Sequence, residues 1–203
     1  ARYQRHGVEY DMKVSAPRQV VPGDDLPQSV DPQLSNNCVG IILHRNMLFM
    51  GFRSAPFHFA SSKTVMYIVS SADGGQKWDL EHRIALGRDV REPHFLEQDG
   101  KLIFSFFSAG TNPLAFQPHG AYHIVYQGPG NWSDPMPWGQ PGEIPWQIGT
   151  HNGKAFATSY MGSHYSFLSR PSINVYFNTS SDGLTWRPVN ETMGKAYTGG
   201  VSE

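Results

Sequence analysis

Two glutamates are the side chains of this sequence with the clearest chemical potential. Glu92 stands between Arg91 and Pro93, and Glu203 ends the printed sequence. Hydrolysis of a glycosidic bond requires a pair of carboxylic groups, one protonated as an acid and one ionised as a base or nucleophile. We therefore take Glu92 and Glu203 as candidate catalytic residues. The alternative for Glu92 is a structural ion pair with Arg91 or Arg53.

A second group of residues could bind a substrate. Arg53 follows an apolar and aromatic run, where a guanidinium is costly unless it is paired or meets an anionic ligand. Asn112 lies in the loop 110–120, whose flanking aromatic residues suit stacking on sugar faces, although a plain packed loop is the alternative. Each of the three histidines in the group also has a structural alternative. The candidate substrate-binding residues are Arg53, Arg91, His58, His94, Asn112 and His119.

The sequence shows no sign of a metal ion or a cofactor, and we expect neither. The histidines lack the spacing of a metal motif such as His-Glu-x-x-His. There is no glycine-rich phosphate loop and no serine nucleophile elbow. The single cysteine, Cys38, cannot form an intrachain disulfide, and we interpret it as a small buried apolar residue.

The elements that must position these residues are indicated by a repeat. Trp78, Trp132 and Trp186 recur every 54 residues, each at the end of a polar turn. A second series, with apolar strand-like phrases, keeps nearly the same step at 46–53, 100–107 and 153–160. Repeats of roughly 40 to 55 residues made of short strands are typical of propeller blades. The sequence therefore predicts an all-β fold, a β-propeller.

The repeat also divides the chain. Residues 1–36, rich in Pro, Gln and Asp, are predicted to be an irregular lead-in, and residues 37–203 a partial propeller. The predicted blades cover 37–88, 89–141 and 142–190, with a further blade beginning at 191–203. Turn residues at 45–46, 99–100 and 152–153 are predicted to join the first two strands of each blade. Because a propeller needs four or more blades to close, we expect the remainder of the propeller to be a partner of this segment.

Composition limits the remaining classes of function. Charged residues make up 16% and aromatic residues 13% of the chain, with 21 Gly and 15 Pro, which favours many short strands. The net charge is −1 without a basic run, so no nucleic-acid partner is expected. No apolar stretch approaches the roughly 18 residues of a membrane span. Sequons at Asn131, Asn178 and Asn190 would permit glycosylation in a secreted eukaryotic protein. They are a weak indication of a secreted or extracytoplasmic location.

One turn carries a resemblance to a known family. Ser71-x-Asp73-x-Gly75-x-x-Trp78 matches the Asp-box of sialidases and related propellers, and a version one residue shorter follows in the third repeat. In such a turn Ser and Asp bond backbone N–H groups, Gly supplies an unusual backbone angle and Trp packs the turn onto the blade. The resemblance implies a sialidase-type propeller in which these boxes are structural. The structural Asp-box residues are Ser71, Asp73, Gly75, Trp78, Ser180, Asp182, Gly183 and Trp186.

Two further phrases resemble parts of the sialidase active site. Phe52-Arg53-Ser-Ala-Pro56 is similar to the Phe/Tyr-Arg-Ile-Pro motif, with one extra residue before Pro. The resemblance implies that Arg53 grips a carboxylate of the substrate. Arg91-Glu92-Pro93 is similar to an Arg-Asp-Pro motif of sialidases and of five-bladed arabinanase and invertase propellers, with Glu in place of Asp.

The sequence also departs from the sialidase pattern. Between Arg53 and the first Asp-box there is no carboxylate where sialidases carry a catalytic Asp. Two hypotheses follow. The first, favoured by the segment Arg91-Glu92-Pro93, is a carbohydrate-active propeller, a glycoside hydrolase acting on an unidentified glycan. The second, favoured by the missing Asp, is a non-catalytic propeller that binds glycans or proteins.

Overall fold

The computed structural model describes residues 2–5, 8–11, 13–162, 172–189 and 194–197, and every regular element in this part of the chain is a β-strand. The first two strands, β1 (Arg2–Arg5) and β2 (Val8–Asp11), pair as an antiparallel hairpin. Residues 13–34 then run without strands. This hairpin lies within the segment predicted to be an irregular lead-in, and its Tyr3, Val8 and Tyr10 are residue types that favour extended backbone.

Three antiparallel sheets follow in chain order, and we call them the first, second and third blades. In the first blade the strands pair in the order in which they occur. Its inner strand is the one that begins the blade, and each later strand lies one step further out. The strands of the first blade are β3 (Ser35–His44), β4 (Met47–Ala55), β5 (Val65–Ser71) and β6 (Asp79–Ile84).

The second and third blades repeat this order with one addition. In each of them the outer position beside the third strand is shared by two short strands. The second blade contains β7 (Val90–Gln98), β8 (Lys101–Ala109), β9 (Pro118–Gly128), β10 (Asn131–Trp132) and β11 (Met136–Trp138). The third contains β12 (Ile144–His151), β13 (Lys154–Gly162), β14 (Ser172–Ser180), β15 (Arg187–Pro188) and β16 (Gly194–Tyr197).

The hairpins between the first and second strands of each blade confirm the predicted turns. The φ angles are 49° and 65° at Arg45 and Asn46, 50° and 72° at Asp99 and Gly100, and 49° and 72° for the pair 152–153. Two consecutive positive φ values define the two-residue turn whose twist matches that of the flanking strands. The same turn chemistry in each blade therefore sets the same register between its two innermost strands.

The blades pack face to face through apolar cores. The core between the first two blades contains Phe49 and Met66 from one side and Phe95 and Phe104 from the other. A Cβ atom on Gly51 would lie 2.5 Å from the ring of Phe104, so a side chain at that position would push the two sheets apart. Of the inner strands, β7 contacts β3 of the first blade and β12 of the third. This succession of stacked antiparallel sheets is a partial β-propeller.

The three repeating tryptophans occupy equivalent places. Trp78 packs in a core shared with Val20, Val21, Leu26 and Val30 of the lead-in. Trp132 lies in the core between the first and second blades, and Trp186 packs against the core between the second and third. Each indole therefore fills the face of its own blade that points back along the chain, and in the first blade the lead-in covers the part of that face formed by β4 and β5.

Among the described residues, two rows of apolar side chains are exposed, one on the first blade beyond the part that the lead-in covers and one on the third blade. On β3 the side chains of Val39, Ile41 and Leu43 are 64%, 61% and 61% exposed. On the third blade Phe156 stacks on Phe177 with ring centroids 5.4 Å apart, and both rings border an open groove of about 250 Å³. Apolar side chains in such rows normally pack against a neighbouring element.

Candidate functional site

A cavity of about 350 Å³ opens where the first and second blades meet. It lies at the end of the blades where β7 begins, and the loops that follow β4 and β8 form its two sides. Its wall is mostly apolar and aromatic, and Arg91 is its one charged residue among those described. The cavity is lined by His58, Phe59, Ala60, Arg91, Asn112, Pro113, Leu114 and Phe116.

The guanidinium of Arg91 is held in place from two directions. Its Nε donates a hydrogen bond of 2.5 Å to Oδ2 of Asp89, and its Nη2 donates one of 2.6 Å to the backbone carbonyl of His58. The side chain is 14% exposed. No acceptor among the described residues is bonded to Nη1. Arg91 therefore presents a fixed positive charge to the cavity.

Asp89, at the start of the second blade, is the centre of a buried ion network. Its Oδ1 accepts hydrogen bonds from Nε and Nη2 of Arg53, at 3.1 and 2.9 Å, and from Oγ1 of Thr64 at 2.9 Å. Both the Arg53 and the Asp89 side chains are 0% exposed. A buried charge is tolerated when it is paired and hydrogen-bonded, and the Arg53–Asp89 pair meets both conditions. This network fixes β4, β5 and β7 relative to one another.

Arg53 therefore lies behind the cavity and not in its wall. Its Nη2 also donates to the backbone carbonyl of Phe59 at 3.0 Å, and its Nη1 to Oδ1 of Asn37 at 3.4 Å. Burial lowers the pKa of the guanidinium, while the charge of Asp89 raises it. The contacts show Arg53 positioning Asp89 and the loop that carries Phe59.

Glu92 lies at an irregular point of β7. The register between β7 and β8 shifts between Arg91 and His94, and the φ angle of Glu92 is 52°. A non-glycine residue with such a φ is strained, and strain of this kind clusters at functional sites. Cys38, with a φ of 50°, is the corresponding irregular residue of β3. Burial and then the Glu92 carboxylate raise the pKa of the Cys38 thiol.

His94 connects two inner strands. Its ring bonds to the backbone carbonyl of Pro145 in the third blade, while its Nε2 is buried without a partner among the described residues. Burial lowers the pKa of the imidazole to about 4. His94 is therefore neutral near pH 7 and lies outside the wall of the cavity.

The remaining candidates are divided between the cavity and its surroundings. His58 and Asn112 line the cavity, and Oδ1 of Asn112 accepts a hydrogen bond from the backbone N–H of Leu114 at 2.9 Å. His119 is exposed outside the cavity, with Nδ1 3.5 Å from Nη1 of Arg88. Glu203 lies outside the described residues. The structure thus brings His58, Arg91 and Asn112 together in one wall.

The third blade begins with another buried carboxylate. Glu143 is 3% exposed and accepts hydrogen bonds from Oγ of Ser159, from Nδ2 of Asn178 at 3.1 Å and from the backbone N–H of Gln140 at 2.7 Å. Its carboxylate joins the loop before β12 to β13 and β14. These contacts make Glu143 a structural residue.

The two serine–aspartate turns lie at the opposite end of the blades from the cavity. In the first turn Asp73 accepts from the backbone N–H groups of Gln76 and Lys77, at 2.8 and 3.0 Å, and Gly75 donates to Oγ of Ser71 at 2.8 Å. The backbone N–H of Lys77, and then the hydroxyl of Ser71, lower the pKa of Asp73.

The turn after β14 repeats these bonds although it is one residue shorter. Asp182 accepts from the backbone N–H groups of Thr185 and Leu184, at 2.7 and 2.9 Å, and Gly183 donates to Oγ of Ser180 at 2.9 Å. The backbone N–H of Thr185, and then that of Leu184, lower the pKa of Asp182. These bonds are local to each turn and hold it in shape.

Sequence reasoning missed Asp89 and the apolar wall. Two signals in the sequence point to Asp89: it follows Arg88 directly and stands two residues before Arg91, and it precedes Glu143 by 54 residues, the period of the tryptophans. Phe59, Leu114 and the other apolar wall residues carry no such signal, because they come together only when the two loops meet.

Neither a metal site nor a membrane span is evident in the part of the chain that the structure describes. Its His, Cys, Asp and Glu residues form no group of three or more that could hold a metal ion. Its regular elements include no helix with the length and hydropathy needed to cross a membrane.

Comparison with known proteins gives a result at the level of the fold. No protein-family model and no curated sequence matches the chain. Among solved structures, an α-L-arabinanase of Penicillium chrysogenum in complex with arabinobiose is similar over 74% of this chain and 49% of its own, with a TM-score of 0.55 and 19% identity. An arabinanase of Bacillus subtilis is similar over 83% and 60%, with a TM-score of 0.53 and 11% identity.

A family 117 glycoside hydrolase of the marine bacterium Zobellia galactanivorans is similar over 77% of this chain and 56% of its own, with a TM-score of 0.51 and 14% identity. These proteins are β-propeller glycoside hydrolases, and the similarity establishes the propeller fold of this chain. The chain spans about half to three fifths of the length of the solved structures that it matches.

Proposed function

We propose that this chain is part of a carbohydrate-active, sialidase-like β-propeller that hydrolyses glycosides, with the sugar bound in the cavity between the first two blades. The observation that carries the proposal is the wall itself. Phe59 and Phe116 offer aromatic faces, Arg91 offers a fixed cation, and the three residues lie beside the start of an inner strand. Sugar sites combine apolar surfaces with a few fixed polar groups in this way.

In this proposal Glu92 is the acid/base or the transition-state stabiliser. It follows Arg91 directly on β7, is partly exposed, and has a strained backbone conformation. Glu203 is proposed as the partner carboxylate. Arg53 serves by holding Asp89, which in turn holds Arg91 at the cavity.

The second candidate is a non-catalytic module that binds glycans or proteins. One observation favours it. At the start of the second and third blades Asp89 and Glu143 are buried and bonded within the protein, so neither is available as a second catalytic carboxylate. Glycan binding by the cavity wall would need only Arg91 and the aromatic side chains.

The proposal also includes further blades. Neighbouring blades would cover the exposed apolar side chains at both ends of the segment. These are Val39, Ile41 and Leu43 on the first blade and the stacked Phe156 and Phe177 on the third. The blade limits at 37–88, 89–141 and 142–190 belong to this proposal. The activity, substrate and partners proposed here concern the whole protein.

The test is hydrolysis of a panel of p-nitrophenyl glycosides by the full-length protein, with neutral and uronic sugars. Glu92→Gln keeps the shape of the side chain and removes the titratable group, so kcat should fall about a hundredfold or more. Glu97→Gln, an exposed change on the same strand, is the matched control and should keep full activity. Undiminished turnover in Glu92→Gln would remove Glu92 from the mechanism. Binding of sugars without any cleavage by the wild type would favour the non-catalytic module.

A further inference from the structure

The charge of the cavity wall indicates which sugars it accepts. Among the eight residues of the wall, Arg91 is the one with a permanent charge, and its neighbours are Phe, Leu, Pro, Ala, Asn and His side chains. Phe59 and Leu114 are 61% and 90% exposed, so apolar surface is open to a ligand on both sides. A cation framed by apolar surface is weakly solvated and attracts an anion more strongly than it would in open water.

The negative charges near Arg91 do not cancel it at the ligand side. Asp89 is fully buried, and its two oxygens are taken by Arg53, Thr64 and Arg91 itself. Asp89 pairs with both arginines, with Arg53 at 2.9 Å behind the wall and with Arg91 at 2.5 Å. Glu92 lies on the same strand but outside the wall. The two guanidinium groups and the Asp89 carboxylate therefore keep one net positive charge, and Arg91 is the member of the three that reaches the cavity.

The orientation of Arg91 is set before any ligand arrives. Bonds from Nε to Asp89 and from Nη2 to the carbonyl of His58 fix the plane of the guanidinium, and Nη1 has no acceptor among the described residues. A pre-oriented guanidinium loses little side-chain entropy when it binds a carboxylate. We infer that the cavity selects a sugar that carries a carboxylate, a uronic acid, with Arg91 bound to that carboxylate. This inference rests on the proposed function and names its substrate class.

Two sugars of nearly equal shape test the inference without any mutation. Sodium glucuronate carries the carboxylate, and glucuronamide replaces it with a neutral amide. Both are titrated into the full-length protein, with binding followed by NMR. Glucuronate should bind about tenfold more tightly than glucuronamide, and the difference should shrink as salt is added. Equal affinities at low salt would overturn the selectivity while leaving a sugar site in place.

A variant pair locates the effect. Arg91→Gln should remove the preference for glucuronate and leave the affinity for glucuronamide nearly unchanged. Arg88→Gln, which changes an arginine three residues before Arg91 and outside the wall of the cavity, should keep the full preference. A preference that survives Arg91→Gln would overturn the role of Arg91. If neither sugar binds and no glycoside of the panel is cleaved, the proposed function fails together with the inference.

Discussion

The cavity end and the turn end of these blades are both organised by an aspartate, but in opposite ways. Asp73 and Asp182 accept hydrogen bonds from backbone N–H groups no more than four residues away, at the surface. Asp89 is completely buried, and its partners Thr64 and Arg53 lie 25 and 36 residues back along the chain. The turn aspartates therefore shape a local loop, whereas Asp89 ties two blades and a binding surface together.

The largest expected effect comes from breaking the buried network. Asp89→Asn leaves the Arg53 guanidinium buried without its counter-charge, and loss of one partner of a buried ion pair costs about 3 to 5 kcal/mol. We expect a decrease of that size in the free energy of unfolding of the full-length protein, measured by urea denaturation. Asp99→Asn, in an exposed hairpin turn where Asn fits equally well, should change it by less than about 0.5 kcal/mol. Equal losses in the two variants would refute the network.

The pH dependence of the free energy of unfolding should distinguish the buried histidines from the aspartates of the turns. The pKa of His94 is about 4 in the fold against an ordinary value of 6.5, so the unfolded chain binds a proton first. Stability should therefore fall as the pH is lowered from 6.5 towards 4, by at most about 1.4 kcal/mol per pH unit. Burial also lowers the pKa values of His82 and His123, which act in the same direction.

The turn aspartates should contribute at more acidic pH. Their pKa values are lowered below 3.8, so their stabilisation is present above that pH and is lost only as the pH falls further. Urea unfolding of the full-length protein at pH 7, 6 and 5 measures the histidine part alone. In the His94→Gln variant the free energy of unfolding should change less steeply with pH in this range. An unchanged pH dependence would show that other groups cause it.

A smaller effect is expected from the turns. Ser180 is 5% exposed, accepts a bond from the backbone N–H of Gly183 and donates one to Asp182. Ser180→Ala should lower the free energy of unfolding by about 1 to 2 kcal/mol, and Ser71→Ala by a similar amount because its bonds are the same. The exposed Ser181→Ala is the control. A loss in Ser180→Ala as large as that in Asp89→Asn would remove the contrast between the two regions.

The contrast also explains what the sequence could predict. Features that depend on repeating local chemistry are found where the sequence predicts them. They are the hairpin turns at 45–46, 99–100 and 152–153 and the positions of Trp78, Trp132 and Trp186. The partnership of Arg53 with Asp89 depends on the docking of two blades. A buried guanidinium was expected to need an anion, and the anion supplied by the fold is a side chain of the next blade.

The most direct test of the central claim, that the sugar site is the cavity and not the turn end, is a crystal structure of a complex. The full-length Glu92→Gln variant, soaked with the aryl glycoside that the wild type hydrolyses best, should retain the uncleaved ligand. We expect the sugar to lie against Phe59 and Phe116 with an oxygen within hydrogen-bond distance of Arg91. A sugar bound at the Ser180–Trp186 turn, or on the open face of the third blade with the cavity empty, would contradict it.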